Sequence, residues 1–171
     1  MKVVIRPENV GDAEQIGVVI EAAFSASSYG YNNEAEIVTA LRQADALTLS
    51  LVADNAGTVV GHVAVSPVQI SDVARGWFGL GPISVLPESQ CQGVGALLML
   101  EALAELKRIE ASGCVLLGDP KYYGKFGFEN VPELALPGVP PEYFQAVTFC
   151  EQFPAGTVSY HEAFAAATTA P

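Results

Sequence analysis

The stretch that decides the fold runs over residues 80–98 and reads Leu-Gly-Pro-Ile-Ser-Val-Leu-Pro-Glu-Ser-Gln-Cys-Gln-Gly-Val-Gly-Ala-Leu-Leu. Apolar residues before it extend a predicted strand over 77–86, and Pro87 ends that strand. Residues rich in Ala, Leu and Glu follow it and predict a long helix over about 93–111, which Gly113 ends. A strand therefore runs through one short loop into the longest helix of the chain.

The loop between these elements, Gln90-x-x-Gly93-x-Gly95, has the chemistry of a phosphate site. Glycine lets backbone N–H groups approach an anion without a Cβ clash, and a helix N-terminus adds unpaired donors and a partial positive charge. The Walker and dinucleotide-binding glycine patterns are both absent. The alternative is an ordinary tight strand-to-helix connection, but the Val-x-Pro before the loop and the long helix after it favour a phosphate site.

Composition limits the classes of partner. The chain has 171 residues, a net charge of −11 and a pI near 4.4, which argues against a nucleic acid or an anionic membrane surface. Three widely spaced Cys residues show no metal-binding pattern, so we expect free thiols and no metal. Half of the eight Lys and Arg residues fall within residues 107–125, which suggests one region suited to an anion: Lys107, Arg108, Lys121 and Lys125.

Length and hydrophobicity predict a single domain over residues 1–171, with a core of about 2–162 and a frayed tail over 163–171. The N-terminus has no signal-peptide pattern, and no apolar run reaches the ~20 residues that a membrane-spanning helix needs. We therefore expect a cytoplasmic monomer or homodimer.

Periodic patterns along the chain predict the order β-α-α-β-β-β-α-β-α-β-β, which implies one α/β domain with a mixed sheet. The seven strands are predicted over 2–6, 48–54, 58–66, 77–86, 115–118, 126–129 and 143–150, and residues 156–160 are a candidate for one more. Helices are predicted over 12–24, from Asn32 or Asn33 onward, over 93–111 and over 120–123.

These motifs resemble the GNAT family of N-acetyltransferases. Residues 83–98 match its cofactor motif, Val-x-Pro followed by Gln/Arg-x-x-Gly-x-Gly/Ala, and residues 122–128 match its Tyr-x-x-x-Gly-Phe segment. The wider pattern, at 79–85, 117–128 and 140–144, is similar to a bacterial subgroup of YhbS-type predicted acetyltransferases. The resemblance implies a single-domain GNAT fold, in which helices flank a mixed central β-sheet, and an enzyme that uses acetyl-CoA without a metal.

The resemblance also implies where acetyl-CoA binds. The pantetheine arm would lie along Pro82–Val85, where two parallel strands part, with the backbone of Ile83 and Val85 as partners. The pyrophosphate would lie on the N–H groups of Cys91 to Ala96, and Lys121, Lys125 or Arg108 would reach the nucleotide phosphates. The cofactor-binding residues so implied are Ile83, Ser84, Val85, Gln90, Cys91, Gln92, Gly93, Val94, Gly95, Ala96 and Tyr123.

Catalytic residues follow from the same resemblance. Tyr123 stands four residues before Gly127, where the family has the acid that protonates the departing thiolate; the alternative is that Tyr123 only packs on the cofactor, and Tyr122 is assigned to packing. An alkyl ammonium has a pKa near ~10, so the acceptor amine also needs a base. The candidates are Glu34, His62 and Ser84, the last acting through a water. Glu34 has a purely helix-stabilising alternative, and His62 can equally be a satisfied histidine under a helix.

The function that follows is transfer of an acetyl group from acetyl-CoA to a primary amine, by direct attack in a ternary complex. The acidic composition suits a cationic amine, whose identity the sequence does not specify, and the loop Phe24–Tyr31 is placed to act as a lid. Two alternatives remain open. In the first, the donor is a longer acyl-CoA or an acyl carrier protein. In the second, the chain is a CoA-binding module without activity.

Overall fold

The structure is a computed structural model that describes residues 1–25 and 33–168. Its strands are β1 (Val4–Pro7), β2 (Leu49–Asn55), β3 (Thr58–Pro67), β4 (Gln69–Ile70), β5 (Trp77–Val85), β6 (Gly113–Leu117), β7 (Leu134–Ala135), β8 (Phe144–Thr148) and β9 (Gly156–Ser159). Its helices are α1 (Ala13–Ser25), α2 (Glu34–Gln43), α3 (Val94–Arg108), α4 (Pro120–Tyr123) and α5 (Glu162–Thr168).

Six strands form one mixed sheet in the order β1-β2-β3-β5-β6-β8. Every neighbouring pair is antiparallel except β5 and β6, which run parallel because α3 carries the chain from one to the other. Residues 59–66 of the central strand β3 are all buried, as expected for a strand that is covered on both faces. The predicted mixed sheet flanked by helices is therefore confirmed.

Helices cover both faces of this sheet with apolar side chains at helical spacing. α1 and α2 cover one face, with a core cluster that includes Ile16, Val19, Ile20, Val38, Val52 and Ala64. α3 covers the opposite face, with a cluster that includes Val63, Val65, Leu98, Ala102 and Leu106. The candidate site therefore has α1 and α2 on one side of the sheet and α3 on the other.

Three predictions of secondary structure differ from the structure. The strand predicted over 126–129 is wrong, because Gly124–Phe126 form a 3-10 turn and only Glu129 makes a bridge, to Ala146. The sequence does not predict β4 and β7, which join β9 in a second small sheet, because strands of two residues show no periodicity. The sequence also predicts fraying from Ala163, whereas Ala163 is buried against α2 and residues 163–168 belong to α5.

Gly113 gives a test of how tightly β6 is packed at its start. A Cβ built there would lie 2.6 Å from the carbonyl oxygen of Val147 and would also meet the Trp77 ring. We expect Gly113→Ala to lower the free energy of unfolding by roughly 1–3 kcal/mol in chemical denaturation, because the backbone or the indole must shift. Gly124→Ala is the matched control, since no atom lies within 4 Å of its Cβ position. Equal losses in the two variants would contradict this packing.

Candidate active site

The parallel strands β5 and β6 part along their length and open the sheet at its middle. Beyond Gly79, β5 continues along β3 to Val85, whereas β6 continues along β8 to Leu117. The parting that the family resemblance implies is therefore present. The two strands are paired only by Trp77 with Gly113, Phe78 with Cys114 and Gly79 with Val115.

A β-bulge accounts for this parting. Between Leu80 and Ile83, β5 has two residues, Gly81 and Pro82, where β3 has only Ala64. A bulge bends the strand that carries it and increases its local twist. β5 therefore turns away from β6 as it approaches the glycine-rich loop.

The backbone of Ile83 and Val85 faces the resulting gap. The N–H of Leu86 donates to the carbonyl of Val60 at 2.9 Å, on the β3 side of the strand. Backbone groups alternate in direction along an antiparallel strand, so Ser84 also faces β3. Ile83 and Val85 then direct their N–H and C=O groups to the side that β6 has left. The expected partners of an extended ligand are thus correctly oriented.

Two glutamine side chains hold the loop in shape. Nε2 of Gln90 donates to the carbonyl of Val85 at 3.0 Å, and Nε2 of Gln92 donates to the carbonyl of Glu88 at 2.9 Å. Both residues are predicted to bind the cofactor, but here their amides bond to the protein backbone. Their contribution is to fix the loop against the end of β5.

The N-terminus of α3 has unpaired donors. The N–H of Leu97 makes the first bond of this helix, to the carbonyl of Gly93 at 3.0 Å. The N–H groups of Val94, Gly95 and Ala96 therefore have no partner within the helix. These are the donors that the sequence assigns to the pyrophosphate.

The loop conformation keeps this helix end open. Cys91 and Gly93 have φ angles of 59° and 84°, in the left-handed region that glycine adopts without a steric penalty. No side chain caps α3, whereas the carboxylate of Asp119 caps α4 by accepting from the N–H of Lys121 at 2.9 Å. α3 thus presents free N–H groups and the positive end of its dipole beside the gap, as an anion site requires.

Tyr122 makes a contact that the sequence did not predict. A Cβ built on Gly95 would lie 3.2 Å from Oη of Tyr122, so this hydroxyl lies against the first turn of α3. Nζ of Lys125 lies 5.5 Å from the centroid of the Tyr122 ring. The two tyrosines and the lysine of residues 122–125 could have indicated such a contact. The sequence does not specify which of these side chains turns toward α3.

Tyr123 packs beneath the end of β6. A Cβ on Gly118 would clash with its ring, and its ring centroid is 6.4 Å from that of Phe128. Burial, with smaller contributions from Tyr122 and Asp119, raises the pKa of Tyr123 to about 12. The phenol is therefore protonated at neutral pH and available as a hydrogen-bond or proton donor.

Arg108 is excluded as a phosphate ligand at the loop. It is the last of the 15 residues of α3, so it lies about 21 Å from the N-terminus of that helix. Its guanidinium pairs with Glu105. Of the other two cations that the sequence proposes, Lys125 lies over the ring of Tyr122, whose hydroxyl is against the first turn of α3.

His62 and Ser84 lie opposite each other on β3 and β5, on the face that α1 covers. They are 0% and 3% exposed. Nε2 of His62 lies 2.8 Å from Oγ of Ser50, while Nδ1 of His62 and Oγ of Ser84 have no hydrogen-bond partner among the described residues. Burial lowers the pKa of His62 to about 4, although Glu8 opposes the shift. His62 is therefore neutral at pH 7 and incompletely satisfied.

Glu34 lies apart from this pair. It is buried in the first turn of α2 and lines a cleft of about 230 Å³ between the ends of α1 and α2, which Phe24 also lines. Arg42, whose charge acts on His62, is eight residues further along α2, or about 12 Å. The structure does not bring Glu34 together with His62, and residues 26–31 of the predicted lid lie outside the described residues.

Other features of the described chain do not add to this site. A larger cleft of about 600 Å³ lies between the C-terminal half of α3 and the end of β8, and no predicted site residue lines it. Across residues 1–25 and 33–168, no cluster of three or more His, Cys, Asp or Glu is placed to hold a metal ion. In the same ranges no helix is both long and apolar enough to cross a membrane.

The fold is that of an α/β protein in which an open helix N-terminus lies beside the parting of two parallel strands. Comparison with known proteins identifies the family. Residues 47–130 match the family model of the acetyltransferase (GNAT) domain. The chain is 37% identical over 126 residues to the uncharacterized N-acetyltransferase YhbS of Escherichia coli K12, covering 73% of this chain and 72% of that protein. The chain belongs to the GNAT family of acetyltransferases.

Solved structures agree with this assignment. A GNAT family acetyltransferase from Brucella melitensis, in complex with acetyl-CoA, is 48% identical with a TM-score of 0.85, covering 95% of this chain and 98% of that one. YhbS from Escherichia coli, in complex with CoA, is 34% identical with a TM-score of 0.88, covering 96% and 93%. The predicted fold and family are thus confirmed.

The buried histidine predicts a pH dependence of stability. The pKa of His62 is about 4 in the folded chain, against about 6.5 for an unfolded histidine. Between these values only the unfolded state binds the proton, so stability falls as the pH drops through this window, by about 3 kcal/mol in total. Urea denaturation at pH 7 and pH 4.5 should show a loss for wild type that exceeds the loss for His62→Gln by roughly 2–3 kcal/mol. Identical losses would show that His62 is not buried in its neutral form.

Proposed function

We propose that the chain is an N-acetyltransferase that transfers an acetyl group from acetyl-CoA to a primary amine, by direct attack in a ternary complex. One observation carries the proposal: the uncapped N-terminus of α3 lies beside the parting of β5 and β6. The pyrophosphate of acetyl-CoA suits the helix N-terminus, and its extended thioester arm suits the gap between the strands. The relatives solved with acetyl-CoA and CoA support the same ligand for this chain.

Backbone groups would hold most of the donor. The N–H groups of Val94, Gly95 and Ala96 suit the pyrophosphate, and the backbone of Ile83 and Val85 suits the arm that lies between the strands. When bound, acetyl-CoA supplies an acyl group that is activated as a thioester. N–H groups aimed at the thioester carbonyl would stabilise the negative charge that develops there, an effect that is worth a few kcal/mol in other enzymes.

Tyr123 is proposed to assist the leaving group. The amine lone pair forms the new C–N bond, the C–S bond breaks with its electron pair on sulfur, and Tyr123 donates to that sulfur. A thiol has a pKa near ~8.5, below the value of about 12 for Tyr123, so the phenol keeps its proton and stabilises the departing thiolate by a hydrogen bond, and the thiolate leaves as the anion or takes a proton from water.

The acceptor is proposed to approach on the face that α1 and α2 cover. Ser84 and His62 lie on that face and offer the groups that take up the amine proton. Glu34 is proposed to attract the acceptor rather than to deprotonate it, because it lines the cleft with Glu21 and Glu36. Three carboxylates around one cleft suit a cationic amine.

We further propose that the whole chain is one catalytic domain that works in the cytoplasm. The four core clusters draw on residues from Ile16 to Ala163, which supports one folding unit. Cys91, Cys114 and Cys150 are free thiols, which suits a reducing compartment.

Thiol release from acetyl-CoA tests the proposal directly. The amine panel is spermidine, kanamycin, lysine ethyl ester and a short peptide with a free amino terminus, each also assayed with octanoyl-CoA. Turnover with acetyl-CoA and at least one amine is the expected result. Turnover only with octanoyl-CoA would instead support a longer acyl donor. CoA binding in calorimetry without turnover of any amine would support a binding module.

Tyr123→Phe tests the proposed donor. We expect kcat to fall about 10- to 100-fold, because the departing thiolate loses its hydrogen bond, while the Kd for CoA changes little. Tyr143→Phe is the matched control, since Tyr143 is an exposed tyrosine whose hydrogen bonds to the described residues are made by its backbone. An unchanged kcat in Tyr123→Phe would leave this residue with a packing role only.

Gly95→Val tests the phosphate site. The new Cβ would lie 3.2 Å from Oη of Tyr122, at the first turn of α3, and its two methyl groups would crowd the space in front of the free N–H groups. We expect the Kd for CoA in titration calorimetry to rise about 10-fold, which is about 1.4 kcal/mol. Gly17→Val serves as control, because no atom lies within 4 Å of its Cβ position in α1. If the two variants bind CoA equally well, the pyrophosphate does not lie on this turn.

A further inference from the structure

A series of polar side chains connects the buried face beneath α1 to the surface. Nε2 of His62 lies 2.8 Å from Oγ of Ser50. The N–H of Glu8 donates to the carbonyl of Ser50 at 2.9 Å, and the Ser50 hydroxyl is near enough to the Glu8 carboxylate to lower its pKa. Glu8 accepts from Nη2 and Nε of Arg42 at 2.8 and 3.1 Å. The side chain of Glu8 is 20% exposed, whereas His62 is 0% exposed, so the series leads from an enclosed imidazole to a carboxylate that touches solvent.

The direction of these bonds defines the tautomer of His62. Burial opposes ionisation of Glu8, but its hydrogen bonds with Arg42 and Ser50 outweigh burial and lower its pKa. An ionised carboxylate only accepts, so the Ser50 hydroxyl donates to Glu8 and its oxygen accepts from Nε2–H of His62. Nδ1 is then left with a lone pair, and no described residue donates to it.

Ser84 provides the inner end of this path. It lies directly across from His62, and its Oγ is also without a hydrogen-bond partner among the residues that the structure describes. Cα atoms in a hydrogen-bonded antiparallel pair are about 5.5 Å apart, a separation whose side chains one water can bridge. The neighbours Ile83 and Val85 direct their backbone into the gap, so Ser84 lies in the strand segment proposed for the thioester arm.

A purely structural role explains this arrangement poorly. Each buried polar atom without a partner costs about 1–3 kcal/mol, and two paired residues, His62 and Ser84, each have one such atom among the described residues. The α1 side chains over this face, Ile16, Val19 and Ile20, are apolar, and the charges that act on His62 come from Glu8 and Arg42. Apolar side chains of α1 therefore cover the buried part of the path, and charged side chains act on it only at its outer end.

We propose that Ser84, His62, Ser50 and Glu8 form a proton path from the acceptor amine to solvent. The proposal rests on the function proposed above and adds positioning residues to it. The ammonium proton passes through Ser84 to Nδ1 of His62 while Nε2–H passes to Ser50 and the Ser50 proton passes to Glu8, which releases it to water. One proton enters and one leaves; the imidazole stays neutral but ends with its proton on Nδ1, and proton exchange with solvent returns it to the Nε2–H tautomer before the next turnover.

Ser50→Ala breaks the path at its centre. We expect kcat/KM for the best amine of the panel to fall about 10- to 100-fold at pH 7, while the KM for acetyl-CoA stays within about twofold. The loss should shrink as the pH approaches the pKa of the free amine, about 10, because the acceptor then arrives deprotonated. The acid limb of the pH profile should therefore move to higher pH, which a loss of packing alone would not produce.

Two further variants distinguish loss of the proton path from other effects of removing a buried hydroxyl. Ser50→Thr keeps the hydroxyl and should restore most of the activity and the wild-type profile. Ser66→Ala removes another buried serine on the same face of β3, one that also has no partner in the described chain, and should leave the profile unchanged. A wild-type profile in Ser50→Ala, or the same shift in Ser66→Ala, would overturn the path.

Nitrogen-15 spectroscopy of the free protein provides a test without an acceptor. Between pH 6 and 8 we expect His62 to carry its proton on Nε2, and a proton on Nδ1 would overturn the path. Failure of the wild-type enzyme to release thiol with every amine would overturn the proposed function, and the path with it. An active wild type with an unshifted Ser50→Ala profile would overturn the path alone.

Discussion

The parting of β5 from β6 is the constraint on which the rest of the site depends. A sheet normally pairs its backbone groups, and buried N–H and C=O groups without partners are costly. The bulge at Gly81 and Pro82 bends β5 away after three paired positions and leaves Ile83 and Val85 facing a gap. An extended ligand that enters this gap completes the ladder as an added strand would. The opening is thus a binding feature that the sheet itself creates.

The helix that follows makes the same opening suitable for a polyanion. α3 must begin where β5 ends, so its free N–H groups lie at the mouth of the gap. Gln90 and Gln92 hold the loop through backbone carbonyls, and no side chain caps the helix. On a chain with a net charge of −11, backbone donors and a helix dipole bind phosphate without the cationic surface that would also attract nucleic acid.

Local patterns predicted the features that depend on neighbouring residues in sequence. The strand, loop and helix of residues 77–108 follow from periodicity, a terminal proline and two glycines, and all three occur where they were expected. Features that depend on how strands and helices are aligned in space could not be predicted from the sequence. The bond between Ser50 and His62 needs the alignment of β2 with β3, which includes a bulge of its own at Ala53 and Asp54. The contact of Tyr122 with Gly95 needs the angle at which α4 meets α3.

Burial sets the proton chemistry on the two faces of the gap in opposite ways. His62 lies on the face of α1, and burial lowers its pKa, so it is neutral and can pass a proton on but cannot store one. Tyr123 packs against the cluster beneath α3, and burial raises its pKa, so it stays protonated and can donate a hydrogen bond. In the proposed reaction the amine loses its proton on the first face and the departing thiolate accepts a hydrogen bond on the second. The sheet thus places the two groups on opposite sides of the gap proposed for the thioester arm, where each can act on a different substrate at the same time, and this placement favours direct transfer in a ternary complex.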